Sequence, residues 1–294
     1  MSEAEPPAIR FHEDADLFRE AVRFTAAQTA FAPRLIEKDY FCTVLLAYLG
    51  TTAGDNLIFK GGTCLAKVHA GLYRLSEDLD FAIPASVKAP RSERKGLIEG
   101  VKQALAALPK RLPNFEVVET LKGANNSKQY VAVLGYASLL SRDKETIKIE
   151  VSLREPLLMP VLEASARTLL LDPVTGNSLV SPVSVRCIAK PEALAEKFRA
   201  ALTRREPAIR DFYDIDHAIR KDGLNVEDFS LVNQVKQKLA VPGNEPVDVS
   251  AEHMAALRQQ MEPQLRPVLR ERDFAEFDLD RVFKIVVGMA KAAG

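Results

Sequence analysis

The stretch Leu57-Ile58-Phe59-Lys60-Gly61-Gly62-Thr63-Cys64-Leu65-Ala66-Lys67, followed by Ser76-Glu77-Asp78-Leu79-Asp80-Phe81-Ala82-Ile83-Pro84, decides the fold. Residues 57–59 read as a short strand ending at a Gly-Gly turn, and 63–72 as a helix. Residues 79–83, stopped by Pro84, form a second short strand. Alternation along a strand places side chains i and i+2 on one face. Asp78 and Asp80 therefore point together, while Leu79 and Phe81 bury the opposite face. Asp has low strand propensity, so a pair flanking a strand-forming Leu calls for a reason. The Gly61-Gly62 turn supplies a complementary half: its backbone can approach a phosphate closely, and helix N-terminal N–H groups and the Thr63 hydroxyl can bind it.

A third carboxylate lies downstream in Ile147-Lys148-Ile149-Glu150-Val151. This segment reads as a strand with Lys148 and Glu150 on one face and the apolar residues on the other. If it neighbours the strand at 79–83, Glu150 completes a cluster with Asp78 and Asp80. Two bare carboxylates about 4 Å apart repel by about 4 kcal/mol at an effective dielectric near 20. Such a cluster is tolerated mainly when a divalent cation neutralises it. Oxygen-only ligands suit Mg²⁺, with Mn²⁺ as a substitute, bound along with substrate phosphates. Taken singly, each piece has a plainer reading: a turn, a solvated strand edge, a cross-strand charge pair. Their order and spacing together favour the site.

Outward from this core, helical spacing marks 14–31 and 33–49, with Pro33 suited to a first turn. Residues 91–108 form a further helix. The segments 115–121, 130–136 and 146–153 are strand-like, with turn chemistry at 123–127. Residues 183–188 form one more candidate strand, and beyond Pro191 the pattern is almost wholly helical. The fold class is therefore α+β and bilobed. Residues 1–185 form a core lobe with a mixed β-sheet flanked by helices, and residues 186–294 form a mainly helical lobe.

Composition limits the function classes. The chain has 294 residues, 47% hydrophobic, with 40 basic and 40 acidic side chains. That length buries a sizeable core without disulfides, and zero net charge argues against a generic nucleic-acid coat. The three cysteines, Cys42, Cys64 and Cys187, are odd in number and set among apolar residues. They read as buried thiols of a reducing compartment. The acidic, Pro-containing residues 1–10 do not resemble a secretion signal, and no apolar run approaches a membrane span. A cytoplasmic protein that does not engage membranes is expected.

Gly61-Gly62-Thr63-Cys64-Leu65-Ala66-Lys67, then Gly71, Arg74 and Ser76-Glu77-Asp78-Leu79-Asp80-Phe81, resembles the first motif of the AbiEii/AbiGii-type nucleotidyltransferase toxins. That family includes the MenT toxins of toxin–antitoxin and phage-defence systems and belongs to the DNA polymerase β-like superfamily. Glu37-Lys38-Asp39-Tyr40, Ile147-Lys148-Ile149-Glu150, Ala195-Glu196-Lys197-Phe198-Arg199-Ala200 and Arg210-Asp211-Phe212-Tyr213-Asp214-Ile215 extend the resemblance over residues 36–216. It implies that Gly61, Gly62 and Thr63 cradle a triphosphate and that Asp78 and Asp80 hold metal. It further implies that Lys197 contacts the nucleotide and that Asp211 is needed for activity, both from the helical lobe toward a shared cleft. The third acidic position is often Asp in the family and is Glu150 here.

Lys197 also begins a helical face continued by Ala200, Ala201 and Arg204, so Arg204 joins the nucleotide-binding candidates. Lys67, one turn beyond Thr63, is another. His69 reads as a packing residue, and nothing in the local pattern marks Cys64 as a nucleophile. The basic runs at 91–95 and 266–272 read as solvated helix faces. The implied activity is Mg²⁺-dependent transfer of NMP from an NTP, pyrimidine by resemblance, to the 3′ end of tRNA, blocking translation, with a cognate antitoxin. Rival readings are NMP transfer to a protein hydroxyl, a catalytically silent nucleotide-binding module, and an aspartate-nucleophile phosphatase. The last wants its acidic pair after a long apolar strand, whereas the apolar residues here follow the pair.

Overall fold

The computed structural model describes residues 9–141 and 143–294, so residues 1–8 of the acidic N-terminal stretch lie outside the described residues. The chain divides into two compact units. One runs to Leu157 and resumes over Val161–Cys187, and the other comprises Leu158–Pro160 and Ile188–Gly294.

The first unit is built on a seven-stranded mixed sheet. Its strands are β1 (Ile58–Lys60), β2 (Asp78–Ala82), β3 (Phe115–Ala124), β4 (Gln129–Ala137), β5 (Lys144–Ser152), β6 (Leu162–Ala166) and β7 (Val183–Cys187). They stand in the order β3-β4-β5-β2-β1-β7-β6. β3, β4 and β5 form an antiparallel meander; β5 runs parallel to β2, and β1 parallel to β7. The centre of the sheet is apolar on one face because the alternation is strict. Ile147, Ile149 and Val151 of β5 and Leu79 of β2 are all fully buried, each contributing about 1.5–3 kcal/mol relative to exposure.

Helix α1 (Ala15–Thr29) starts at an Asp14 side chain that accepts from the Leu17 N–H at 3.0 Å, and it ends on a left-handed Ala30. α2 (Pro33–Thr52), with Pro33 in its first turn, buries thirteen of its 20 residues, including Glu37, Lys38 and Asp39. It is the central helix of the unit, and its charged residues must find internal partners. Glu37 accepts from the Ser138 hydroxyl and the Leu139 N–H, both at 2.7 Å. Tyr40 reaches His12 at 2.8 Å.

The helix expected over 63–72 begins earlier and ends differently. α3 (Gly61–Cys64) already includes the two glycines, and Leu65–His69 continues it as a π turn. The helix expected over 91–108 is two pieces, α4 (Arg91–Leu97) and α5 (Glu99–Arg111), which part at Ile98. Arg94 of the basic run is buried and donates to the carbonyls of Leu153, Ser86 and Val87, so it is a structural clamp and not a solvated charge.

The second unit is helical: α6 (Lys190–Thr203), α7 (Ile209–Asp222), α8 (Phe229–Leu239), α9 (Ala251–Gln260), α10 (Glu271–Ala275) and α11 (Leu279–Ala293). Pro191 starts α6 and a left-handed Gly223 ends α7. Glu192 caps the Leu158 and Met159 N–H groups at 2.9 and 2.8 Å and meets the fully buried Lys238 at 2.7 Å. That contact explains why residues 158–160 belong with this unit. No helix among the described residues is long and apolar enough to cross a membrane.

Candidate active site

Parallel pairing of β2 with β5 sets Asp78 opposite Lys148 and Asp80 opposite Glu150. Each strand contributes an i, i+2 pair, so all four side chains leave one face of the sheet. On the other side of β2, β1 places Lys60 opposite Asp80. The three carboxylates expected from sequence thus converge, and Lys148 lies among them. Its Nζ is 3.4 Å from Glu150 Oε2 and 3.9 Å from Asp78 Oδ2. Gln129 of β4 donates to Glu150 Oε1 at 2.8 Å and fixes that side chain from the far side.

The electrostatics follow from this crowding. Asp80 is half-buried, and its carboxyl is pushed up to about 6, first by burial and then by the Glu150 and Asp78 charges, against Lys60 and Lys148. Burial alone would lower Lys148, but attraction to Asp78, Glu150 and Asp80 outweighs it and raises its pKa. Two neighbouring ammoniums, Lys60 and Lys148, do not balance three carboxylates on a half-buried face. An all-oxygen donor set with surplus negative charge has the chemistry that Mg²⁺ or Mn²⁺ requires.

The glycine turn is built against this cluster. Gly61 has φ +76°, a conformation that L side chains avoid. A Cβ placed there would fall 2.7 Å from Asp80 Cβ and 2.8 Å from its Cγ. Both constraints demand glycine, so the Asp80 carboxylate lies directly against the backbone of the turn. The buried Thr63 donates its hydroxyl to the Asp78 carbonyl at 2.5 Å, tying the start of α3 to the start of β2.

Lys67 departs from expectation. Its Nζ is buried and committed within the protein: 2.5 Å from Asp39 Oδ1, 2.7 Å from Thr43 Oγ1 and 3.1 Å from the Asp39 carbonyl. Asp39 in turn accepts from the Thr168 hydroxyl at 2.6 Å and the Leu169 N–H at 3.1 Å. Two buried ions in this arrangement satisfy each other, and the ammonium is withheld from a phosphate on the surface. Lys38 instead reaches Glu77 at 3.2 Å and Glu145 at 3.7 Å.

In the helical unit, Lys197 of α6 bridges Asp211 and Asp214 of α7, with both contacts at 2.7 Å and both carboxylates buried. Arg204, half-exposed just past α6, lies 3.3 Å from the second Asp211 oxygen, which accepts no hydrogen bond. Burial pushes the Asp211 carboxyl up, but Lys197 and Arg204 outweigh it and hold it below its ordinary value. Lys197, Arg204 and Asp211 are thus one ionic group within this unit. Elsewhere in this unit, Arg220 and Arg281 are tied to the buried Asp216. Arg266 is spent on Glu262 and Glu271.

Sequence reasoning passed over Lys60 and Gln129 as neighbours of the acids. The signal for both lay in strand register, which a single sequence does not display.

Among solved structures, the chain is similar to a crystal structure from H. pylori provisionally described as a nucleotidyltransferase, with a TM-score of 0.50 and 16% identity over 90% of this chain and 96% of that one. It is also similar to the crystal structure of JHP933 from Helicobacter pylori, with a TM-score of 0.49 and 17% identity over 90% and 93% of the two chains. At such identities the first likeness speaks for the fold alone. No curated protein matches the sequence. The model of the family described as "Nucleotidyl transferase AbiEii toxin, Type IV TA system" matches residues 45–282. That match spans the glycine turn, the acid cluster and the Lys197–Asp211 group, and the chain belongs to the AbiEii nucleotidyltransferase toxin family.

Proposed function

We propose that this toxin is a Mg²⁺-dependent nucleotidyltransferase that moves an NMP unit from an NTP, by resemblance a pyrimidine nucleotide, onto the 3′ hydroxyl of tRNA. Loss of a usable acceptor end would stop translation, and a cognate antitoxin would restrain the effect, a role that fits phage defence. One observation carries the reading: Asp80 and Glu150 stand opposite each other on adjacent strands, with Asp78 on the same face and Gly61 against Asp80.

Asp78, Asp80 and Glu150 are the residues that would hold the cation. Its chemistry there would be to neutralise phosphate charge and orient the reacting oxygens. The chain's own groups supply the rest. The Gly61-Gly62-Thr63 turn, without side chains at its first two positions and packed against Asp80, is the backbone that a triphosphate would approach. The acceptor oxygen forms a bond to the α-phosphorus and the bond from that phosphorus to pyrophosphate breaks. The electron pair leaves with pyrophosphate, and the hydroxyl proton passes to a carboxylate of the cluster. The resemblance adds Lys197 as a nucleotide contact and Asp211 as a residue required for turnover, and Arg204, on the helical face that Lys197 begins, is a further candidate contact.

The test is incubation with total tRNA, Mg²⁺ and each labelled NTP, with Asp80→Ala alongside. Label on tRNA that disappears in the variant supports the proposal. Label on protein would favour transfer to a protein hydroxyl, phosphate release without label transfer a phosphatase, and inactivity throughout a silent binding module.

A further inference from the structure

Away from the acid cluster, the first unit gathers a second set of metal-binding side chains. The ligand atoms of Cys64, His69 and Cys187 all lie within 4.8 Å of one another. Both cysteines are fully buried, and His69 is half-exposed. They come from different places: Cys64 ends α3, His69 ends the π turn, and Cys187 ends β7 beside Phe59 of β1.

The π turn is what makes the set. In a regular α-helix, residues five apart are rotated by about 140° and face away from each other. A π turn closes from i to i+5, bringing residue 69 back over residue 64, and such turns recur at functional sites. Here it covers Leu65–His69. The helix has given up regular geometry over the one segment that carries the imidazole round to the two thiols.

We propose that Cys64, His69 and Cys187 bind a single Zn²⁺ ion, which staples the start of the helix after the glycine turn to the end of β7. The donor chemistry supports zinc: two sulfurs and an imidazole nitrogen are soft-to-borderline ligands, unlike the all-oxygen cluster that would take Mg²⁺. Zn–S bonds of about 2.3 Å and Zn–N bonds of about 2.0 Å set tetrahedral ligand atoms about 3.5–3.8 Å apart. The three atoms would therefore draw together by at most about 1.3 Å. Three protein ligands leave the fourth position to water, which makes the ion removable by chelators.

The site goes beyond nucleotide transfer and stands whether or not that activity is found.

The test uses the full chain, purified without chelator, with zinc measured per chain, followed by chelator extraction and titration with Co²⁺. We expect one zinc per chain and, with cobalt, a thiolate charge-transfer band in the near ultraviolet. Zinc and band are lost in Cys187→Ser and in His69→Gln and kept in Cys42→Ser. Because His69 is half-exposed, His69→Gln serves as the decisive variant should a cysteine replacement fail to fold, with circular dichroism as the control. Wild-type protein that binds neither ion would overturn the proposal. So would a Cys64–Cys187 disulfide in freshly purified protein, or a cobalt band that survives in folded His69→Gln.

Discussion

Replacing Asp80 with Asn should make the isolated protein more stable while abolishing nucleotide transfer. A carboxyl moved from 3.8 to about 6 by burial, Glu150 and Asp78 disfavours its ionised form. At about 1.4 kcal/mol per tenfold change in proton affinity, the ceiling is about 3 kcal/mol. Solvent screening at a half-buried position reduces this to about 2 kcal/mol. The folded chain binds this proton more tightly than the unfolded chain. Stability therefore falls as pH rises from 3.8 through about 6, and the full penalty persists above that. Asn keeps the shape that packs against Gly61 and removes the charge. Without divalent cations at pH 8, Asp80→Asn should melt about 4–8 °C above wild type, given about 2–4 °C per kcal/mol for domains of this size. The difference should vanish toward pH 4. Mg²⁺ should raise the wild-type midpoint and narrow the gap, since a cation relieves the repulsion that Asn has already removed. Thermal scans at three pH values, with and without Mg²⁺, decide it. Equal midpoints at pH 8, or a gap that widens toward acid, would refute the account of the cluster as strained by like charge.

Other perturbations test the remaining parts. Gly61→Ala forces a side chain into a left-handed backbone and against Asp80, so it should cost about 1–2 kcal/mol in a urea melt. Displacement of that carboxylate should cut kcat/KM for nucleotide transfer by about a hundredfold. Lys67→Met should lose about 3–5 kcal/mol, because it strands Asp39 in the core. The KM for NTP should not change in whatever fraction remains folded, and adding Asp39→Asn should recover part of the stability. Lys197→Met leaves Asp211 and Asp214 buried together without their ammonium and should cost a similar amount by denaturant titration. Lys197→Arg should retain much of that stability, so the activity of the Arg variant reports on nucleotide contact apart from folding.

The acid cluster was legible because its signal is local. Asp78-Leu79-Asp80 and Lys148-Ile149-Glu150 each declare which residues share a face, and only their adjacency had to be supposed. The mixed sheet, the long α2 and the helical second unit were likewise written in apolar spacing. What escaped depended on distant partners. β6 pairs with β7 alone at the sheet margin, and its Leu-Glu-Ala-Ser-Ala sequence has almost no strand propensity. Lys67 looked available because its spacing from Thr63 suggests a regular helix. Its buried partner Asp39 lies on α2, a pairing that local spacing does not announce. His69 reads as a packing residue because a lone histidine on a helix usually is one, and its proximity to Cys187, far along the chain, is announced by neither spacing nor motif.

The order in which the sheet must close bears on when this toxin becomes dangerous. Asp80 and Glu150 are seventy positions apart in the chain yet side by side in β2 and β5, and β1 finds its other neighbour only in β7. Closing loops of that length is entropically costly and slow compared with local helix formation. A ribosome that has released the glycine motif and the first two acids has therefore made nothing harmful. The proposed acid centre comes together only once β5 has paired with β2, which would give a cell an interval of synthesis in which the chain is present and innocuous.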